Sequence, residues 1–189
     1  AMQPLIETLL SKFPEAVLSA DVDTAHAETT VQVAAPRILE VMRFLHDAPE
    51  ACFDHITDIC SADYPSDQQR FEVIYQLLSI PHGKRIRLKT RLTEENPSLD
   101  SITSIWRGAD FLEREVYDMM GIRFAGHPDL RRILLPEDYT EGYPLRKDFP
   151  AEGRGWRSQF DFIPRLDEPP VEQVDSEVSE ADRKVFLAN

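Results

Sequence analysis

Cysteine is scarce in this chain of 189 residues, which has only Cys52 and Cys60. Two thiols exclude a disulfide framework, and they exclude a four-thiolate metal or iron–sulfur site built from this chain alone. Glycine is nearly as sparse: there are seven, and none are grouped as a glycine-rich binding motif requires. That rules out a phosphate-cradling loop, a dinucleotide fingerprint and a nucleophile elbow, all of which need clustered glycines. No apolar run approaches the roughly 18 residues of a membrane-spanning helix, so no direct membrane span is expected. The start, Ala1-Met2-Gln3-Pro4, lacks the basic flank and apolar core of a secretory signal and the Arg/Ser-rich stretch of a transit peptide. A cytosolic location is the corresponding expectation. Positive charge is also short, with 21 bases against 34 acids and a net charge of −13. The deficit sits at the ends: residues 1–63 carry 11 acids and 3 bases, residues 64–166 carry 16 of each, and residues 167–189 carry 7 acids and 2 bases. Such a chain repels phosphate backbones, which argues against nucleic acid as its partner.

What is present is a sequence of alternating periods. Leu5, Ile6, Leu9, Leu10 and Phe13 share one helical face behind Pro4, and Pro14 stops that helix. Short β-like runs follow at 16–20 and 29–33. A second helix is expected from Pro36 to Pro49, with Ile38, Leu39, Met42 and Leu45 as its buried stripe. From Cys52 to Leu92 the period falls to about two, which predicts strands near 52–60, 70–79 and 84–92. Ile80-Pro81-His82-Gly83 supplies a turn between the last two. Along 84–92, Ile86, Leu88 and Leu92 face one way and Arg85, Arg87, Lys89 and Arg91 the other, the pattern of a solvated edge strand or of a contact for an acidic partner. On the same strand reading, Cys52 and Cys60 share parity and His55 opposes them, which makes them buried thiols beside an ordinary histidine rather than a thiol site.

After Pro97 a helix is expected from Asp110 to about Met120, opened by a capping-box-like Asp110 and Glu113 and ended by Gly121. The fold class that follows is α+β, a small mixed sheet with helices on one face, ahead of an extended C-terminal tail. We place a globular domain at 1–125 and a proline-rich partner-docking segment with an acidic tail at 126–189. Half of the 14 prolines lie in residues 128–189. Beyond residue 150, Trp156, Phe160, Phe162, Ile163, Leu166 and Val185-Phe186-Leu187 offer anchors but no periodic face, which suits ordering along a partner.

The densest polar cluster runs from Glu113 to Lys147. On a helix, Glu115 and Asp118 lie about 60° apart beside the stripe of Leu112, Val116 and Met119. Glu115 is therefore expected against a buried face, where a carboxylate needs a cation or donors. Arg131, Arg132, Arg146 and Lys147 supply candidates, arginine by a two-pronged clamp. A metal site from Glu113, Glu115, Asp118 and His127 is disfavoured, since no Glu-x-x-His or His-x-x-x-His spacing occurs and nearby cations oppose it. A glycosidase pair is excluded because Glu113 and Glu115 lie about 200° apart on the helix.

The run Glu113-Arg114-Glu115-Val116-Tyr117-Asp118-Met119-Met120-Gly121-Ile122, followed by His127-Pro128-Asp129-Leu130-Arg131-Arg132-Ile133-Leu134, resembles the signature of the 30 kDa subunit family of respiratory complex I, in bacteria the C subunit of NADH-quinone oxidoreductase. Gly142-Tyr143-Pro144-Leu145-Arg146-Lys147-Asp148-Phe149-Pro150 is similar to its closing motif, and Asp63-Tyr64-Pro65 to an upstream segment. The resemblance implies a non-catalytic core subunit of the peripheral arm of a proton-translocating NADH:quinone oxidoreductase. It implies no catalytic, cofactor-binding or metal-binding residue in this chain, with FMN, iron–sulfur clusters, NADH and quinone in partner subunits. The implied partners are the large quinone-site subunit and the cluster-bearing subunits, and the implied location is peripheral, on the cytoplasmic side of the bacterial inner membrane. Glu113, Arg114, Glu115, Asp118, His127, Arg131, Arg132, Arg146 and Lys147 are then expected to form a structural and interface network. Rival readings are the equivalent subunit of a ferredoxin-linked or membrane-bound hydrogenase complex, and a stand-alone acidic hydrolase using Glu113, Asp118 and His127.

Overall fold

A computed structural model describes residues 2–23 and 28–155, which belong to one compact unit. The tail anchors from Trp156 onward lie outside the described residues. The first helix, α1 (Gln3–Lys12), buries Leu5, Ile6 and Leu9, with proline in its first turn. Strands β1 (Val17–Asp23) and β2 (Glu28–Val33) pair antiparallel. A single 3-10 turn at Ala35–Arg37 carries Pro36, so α2 proper is Ile38–Asp47, two residues later than the proline suggests. It buries Ile38, Val41, Met42 and Leu45, and Phe44 meets Phe13 at the end of the first helix edge-on, ring centroids 5.4 Å apart.

Three long strands follow, β3 (His55–Asp63), β4 (Phe71–Ser79) and β5 (Lys84–Leu92). The sheet order is β1-β2-β5-β4-β3, with β5 parallel to β2 and antiparallel to β4. This corrects the edge-strand expectation for 84–92, because β5 lies at the centre. Three of its four alternating cations are accommodated by cross-strand acids: Arg87 pairs with Glu28, and Lys89 and Arg91 both pair with Glu72. Alternating charge cannot distinguish an edge from a centre when the neighbouring strands supply the counter-charges.

The expected 52–60 strand is displaced to 55–63, and with it the cysteine reading changes. Cys52 sits before the strand in a left-handed conformation, φ 45°, and is half-buried, while Cys60 is exposed. Shared strand parity therefore does not apply to them.

Beyond β5, the short parallel strands β6 (Ser98–Asp100) and β7 (Arg123–Ala125) bracket α3 (Ala109–Met120), which packs on β3. Gly121 ends α3 at φ 76°, as expected, donating its N–H to the Tyr117 carbonyl. The capping box is not formed. Gly108 occupies the N-cap without a side-chain bond, and Glu113 is turned inward. One apolar core, with Tyr75, Phe53, Phe71, Leu88 and Ile102 fully buried, joins the helices to the sheet.

Candidate functional site

Helix α3 buries polar groups along with its apolar ones: Ala109, Glu113, Arg114, Val116, Asp118 and Met120 are all buried. Each buried charge has to be matched by donors or acceptors from another part of the chain. Asp118 is fully buried, and its Oδ2 accepts three successive backbone N–H groups, from Ile133 at 3.0 Å and from Leu134 and Leu135 at 2.8 Å. Arg132 Nη1 donates to Oδ1 at 2.6 Å. Burial alone would raise the Asp118 pKa, but the Leu135 N–H, the Arg132 guanidinium and the Ile133 and Leu134 N–H groups more than offset it, and the carboxyl stays below its ordinary value. Consecutive N–H groups converging on one anion form a small nest, here built around a side chain of the same chain.

Arg114, four residues earlier on the helix, works in the opposite sense. Its Nε and Nη2 donate to the carbonyls of Arg131 and Arg132 at 3.2 and 3.1 Å. Residues 131–135 are thus held at their carbonyls by a cation and at their N–H groups by an anion, both from α3.

The next stretch is held at its far end. Arg146 Nε donates to the Met120 carbonyl at 2.8 Å, capping the end of α3, and its guanidinium lies 4.6 Å from the Tyr143 ring and 4.8 Å from the Phe71 ring. Tyr143 lies directly over Gly121, where a Cβ would come within 2.4 Å of the ring. The Leu145 N–H reaches the Met119 carbonyl, and the Lys147 N–H reaches Asp63 Oδ2 at 2.8 Å. Asp63 is itself clamped by the buried Arg70, whose Nε and Nη2 lie 2.7 and 2.9 Å from its two oxygens. The Arg70 hydrogen bonds hold the Asp63 pKa below its ordinary value, and the Lys147 N–H adds to this against the cost of burial. Arg70 also meets Glu94 at 2.8 Å and Asp148 at 3.0 Å. Residues 127–149 are therefore a strap fixed by two carboxylates, Asp118 at one end and Asp63 at the other.

Glu113 and His127 form a separate buried pair near the start of α3. Glu113 has no exposed surface, and accepts from Ser101 Oγ and the Ile102 N–H, each at 2.7 Å. Burial pushes its pKa up to about 7, opposed by the Ile102 and Ser101 hydrogen bonds and aided by the Asp110 charge. The buried His127 ring accepts the Asp129 N–H at Nδ1, which leaves its proton on Nε2, 3.2 Å from the Asp110 carbonyl oxygen and 3.9 Å from Glu113 Oε2.

Of the nine residues expected in the network, Arg114, Asp118 and Arg132 meet directly or through the strap backbone, Glu113 and His127 approach each other, and Arg146 and Lys147 act further along. Glu115 is exposed, which corrects its placement against the buried face. The helix is turned so that Glu113 and Asp118 take the protected positions. Arg131 is exposed as well, pairing through its side chain with Asp129 at 2.9 Å, and it enters the network only through its carbonyl. Lys147 likewise contributes its N–H and not its charge. Asp63 and Arg70 are site residues that sequence reasoning misses. Asp63 opens a motif visible in the sequence, but nothing there indicates that its partner is a backbone N–H 84 residues later.

Among the described residues no group of three His, Cys, Asp or Glu side chains is arranged to hold a metal ion. Asp118 is fully buried and its two oxygens accept four donors of this chain, three of them on Oδ2, so it is enclosed by the fold's own groups. The hydrolase reading from Glu113, Asp118 and His127 gains no support from this geometry.

Comparison with known proteins agrees with the strap's motif. Residues 31–155 match the family described as the respiratory-chain NADH dehydrogenase 30 Kd subunit. The C subunit of NADH-quinone oxidoreductase from Roseiflexus sp. (strain RS-1) is 46% identical over 146 residues, 77% of this chain and 82% of that protein. A trypsin-resistant fragment, residues 1–134, of Nqo5 superposes with a TM-score of 0.58 at 31% identity, covering 68% of this chain and 98% of the fragment. A chain in the membrane-bound sulfane sulfur reductase, an archaeal respiratory membrane complex, shares the fold with a TM-score of 0.68 at 22% identity over 91% of this chain and 98% of that one. The chain belongs to the respiratory-chain NADH dehydrogenase 30 kDa subunit family, whose bacterial members are the C subunits of NADH-quinone oxidoreductase.

Proposed function

We propose that this chain is a non-catalytic core subunit of the peripheral arm of a proton-translocating NADH:quinone oxidoreductase, and that its strap presents the surface by which it holds neighbouring subunits in register. The observation that carries this reading is the strap itself. Backbone N–H groups of the strap turn inward onto Asp118 and Asp63, while Leu134 and Leu145 are 60% and 58% exposed at the points where the backbone is pinned to α3. Apolar side chains held outward on a fixed backbone lose little entropy on docking, which favours a protein partner over a small substrate.

On this reading the large quinone-site subunit and the cluster-bearing subunits dock here, and FMN, iron–sulfur clusters, NADH and quinone are bound by those partners. The chain is then peripheral, on the cytoplasmic side of the bacterial inner membrane. Family membership supports that placement. Among the described residues no helix is long and apolar enough to cross a membrane. The test is co-purification from membranes with subunits identified by mass, comparing the wild-type chain with the Leu134→Glu/Leu145→Glu variant. The variant chain should fold normally and lose its partners. Recovery of the full complex at wild-type yield and turnover would count against the strap as the docking surface.

A further inference from the structure

The Asp110, Glu113 and His127 cluster is used by neither anchor of the strap, and it differs from both in kind. Asp118 and Asp63 each face a guanidinium. Glu113 faces none. Among the described residues, the charged and titratable groups set against it are Asp110 from its own helix, His127 from the loop after β7 and the buried Tyr75 hydroxyl from β4, on which Asp100 at the end of β6 also acts. The Asp110 carboxylate repels a second negative charge, and Tyr75 is neutral. His127 cannot compensate while it accepts the Asp129 N–H, because an imidazolium donates from both nitrogens. Asp110 Oδ1 adds a buried oxygen with no hydrogen bond among the described residues, 3.5 Å from His127 Nε2.

We infer that this cluster is a proton-binding site, with the proton carried on Glu113 Oε2 and its occupancy linked to the packing of α3 against residues 101–103. The hydrogen bonds suit the protonated acid without rearrangement. Oε1 accepts the Ile102 N–H in either state. The contact of 2.7 Å between Oε2 and Ser101 Oγ runs in either direction, because Ser101 Oγ also lies 2.8 Å from Thr103 Oγ1 and can turn its own hydrogen there. The Thr103 N–H, 3.2 Å from Ser101 Oγ, holds the hydroxyl in place. Protonation therefore removes a buried charge and breaks no bond, whereas ionisation leaves that charge with two neutral donors and the repelling Asp110 carboxylate. The direction of the Glu113 pKa, up to about 7, agrees with this geometry. The proton site belongs to this chain alone and stands whether or not the docking reading is right.

The experiment is carboxyl carbon NMR of the full chain with labelled glutamate, in the wild type, Glu113→Gln and Asp110→Asn. One resonance should titrate between pH 6 and 8, vanish in Glu113→Gln, and move to a lower midpoint in Asp110→Asn once the repelling charge is gone. Should Glu113→Gln fail to fold, the Asp110→Asn shift identifies the resonance by itself. Urea unfolding supplies a second readout. A carboxyl raised in the folded state contributes its full stabilisation below the unfolded value and loses it as pH rises through the folded one. The wild-type folding equilibrium constant should fall by up to about tenfold per pH unit between pH 5 and 7, and Glu113→Gln should remove that component. A Glu113 midpoint below pH 5, or a slope unchanged in Glu113→Gln, overturns the proposal.

Discussion

Replacing Asp118 by alanine strands three partly buried backbone donors and one guanidinium at once. The Ile133, Leu134 and Leu135 N–H groups all converge on this one carboxylate oxygen, and the Arg132 side chain is 17% exposed. An unsatisfied buried donor costs about 1–3 kcal/mol, with the low end appropriate here because the strap is partly accessible to water. Three such donors, with the unpaired cation, place the loss at about 3–5 kcal/mol. Glu115→Ala, three residues away on the same helix, removes only an exposed side chain and should stay within about 0.5 kcal/mol of wild type. Urea unfolding followed through the buried Trp106 measures the global loss. Trypsin cleavage after Arg131 and Arg132 in native buffer measures local release of the strap, and it should accelerate in Asp118→Ala before the domain unfolds. Since Asp118 is held below its ordinary pKa, this stabilisation is present above the unfolded carboxylate value and is lost as pH falls through the folded one. Equal stability and equal cleavage rates for Asp118→Ala and Glu115→Ala would refute the clamp.

Gly121→Ala should cost about 2–5 kcal/mol by thermal or urea unfolding, from a left-handed alanine plus a collision with Tyr143. In a Tyr143→Ala background the same change should cost only the backbone part, about 1–2 kcal/mol. Arg70→Met should destabilise by about 3–5 kcal/mol, because Asp63 is left buried and unpaired. Arg70→Lys should recover only part of that in the same assay, since an ammonium cannot form the two parallel bonds. Leu134→Glu and Leu145→Glu should each leave the stability of the isolated chain in urea within about 0.5 kcal/mol of wild type.

The long elements are legible in the sequence because their periodicity is strong. Ile38, Met42 and Leu45 define one helical face, and Ile86, Leu88 and Leu92 one sheet face, whatever packs against them. Gly121 is legible because a left-handed helix end has a strong residue preference. The short strands β6 and β7, three residues each, are too brief to show a period and are defined by pairing with each other. The rotation of α3 is hidden for a different reason. Leu112 and Met119 are only half-buried, so the apolar stripe does not fix which acids lie inside. That is decided by the 101–103 and 131–135 segments, which satisfy Glu113 and Asp118 largely through backbone N–H groups. Such donors exist at every non-proline residue and leave no mark in a sequence.

The central place of β5 bears on how the chain is made. Translation delivers β2 and β4 before β5, so during synthesis two strands that end as neighbours of a third stand with open hydrogen-bonding edges. The sheet cannot close until Leu92 has left the ribosome. Lys84, Arg85, Arg87, Lys89 and Arg91 make the closing strand strongly cationic, whereas the preceding residues 1–63 are strongly acidic. Attraction between the late strand and the waiting acids Glu28 and Glu72 favours its insertion, and like-charge repulsion disfavours a second copy of β5 pairing with the first. Ribosome-bound chains stalled just before Lys84 should therefore engage chaperones more than chains stalled beyond residue 130.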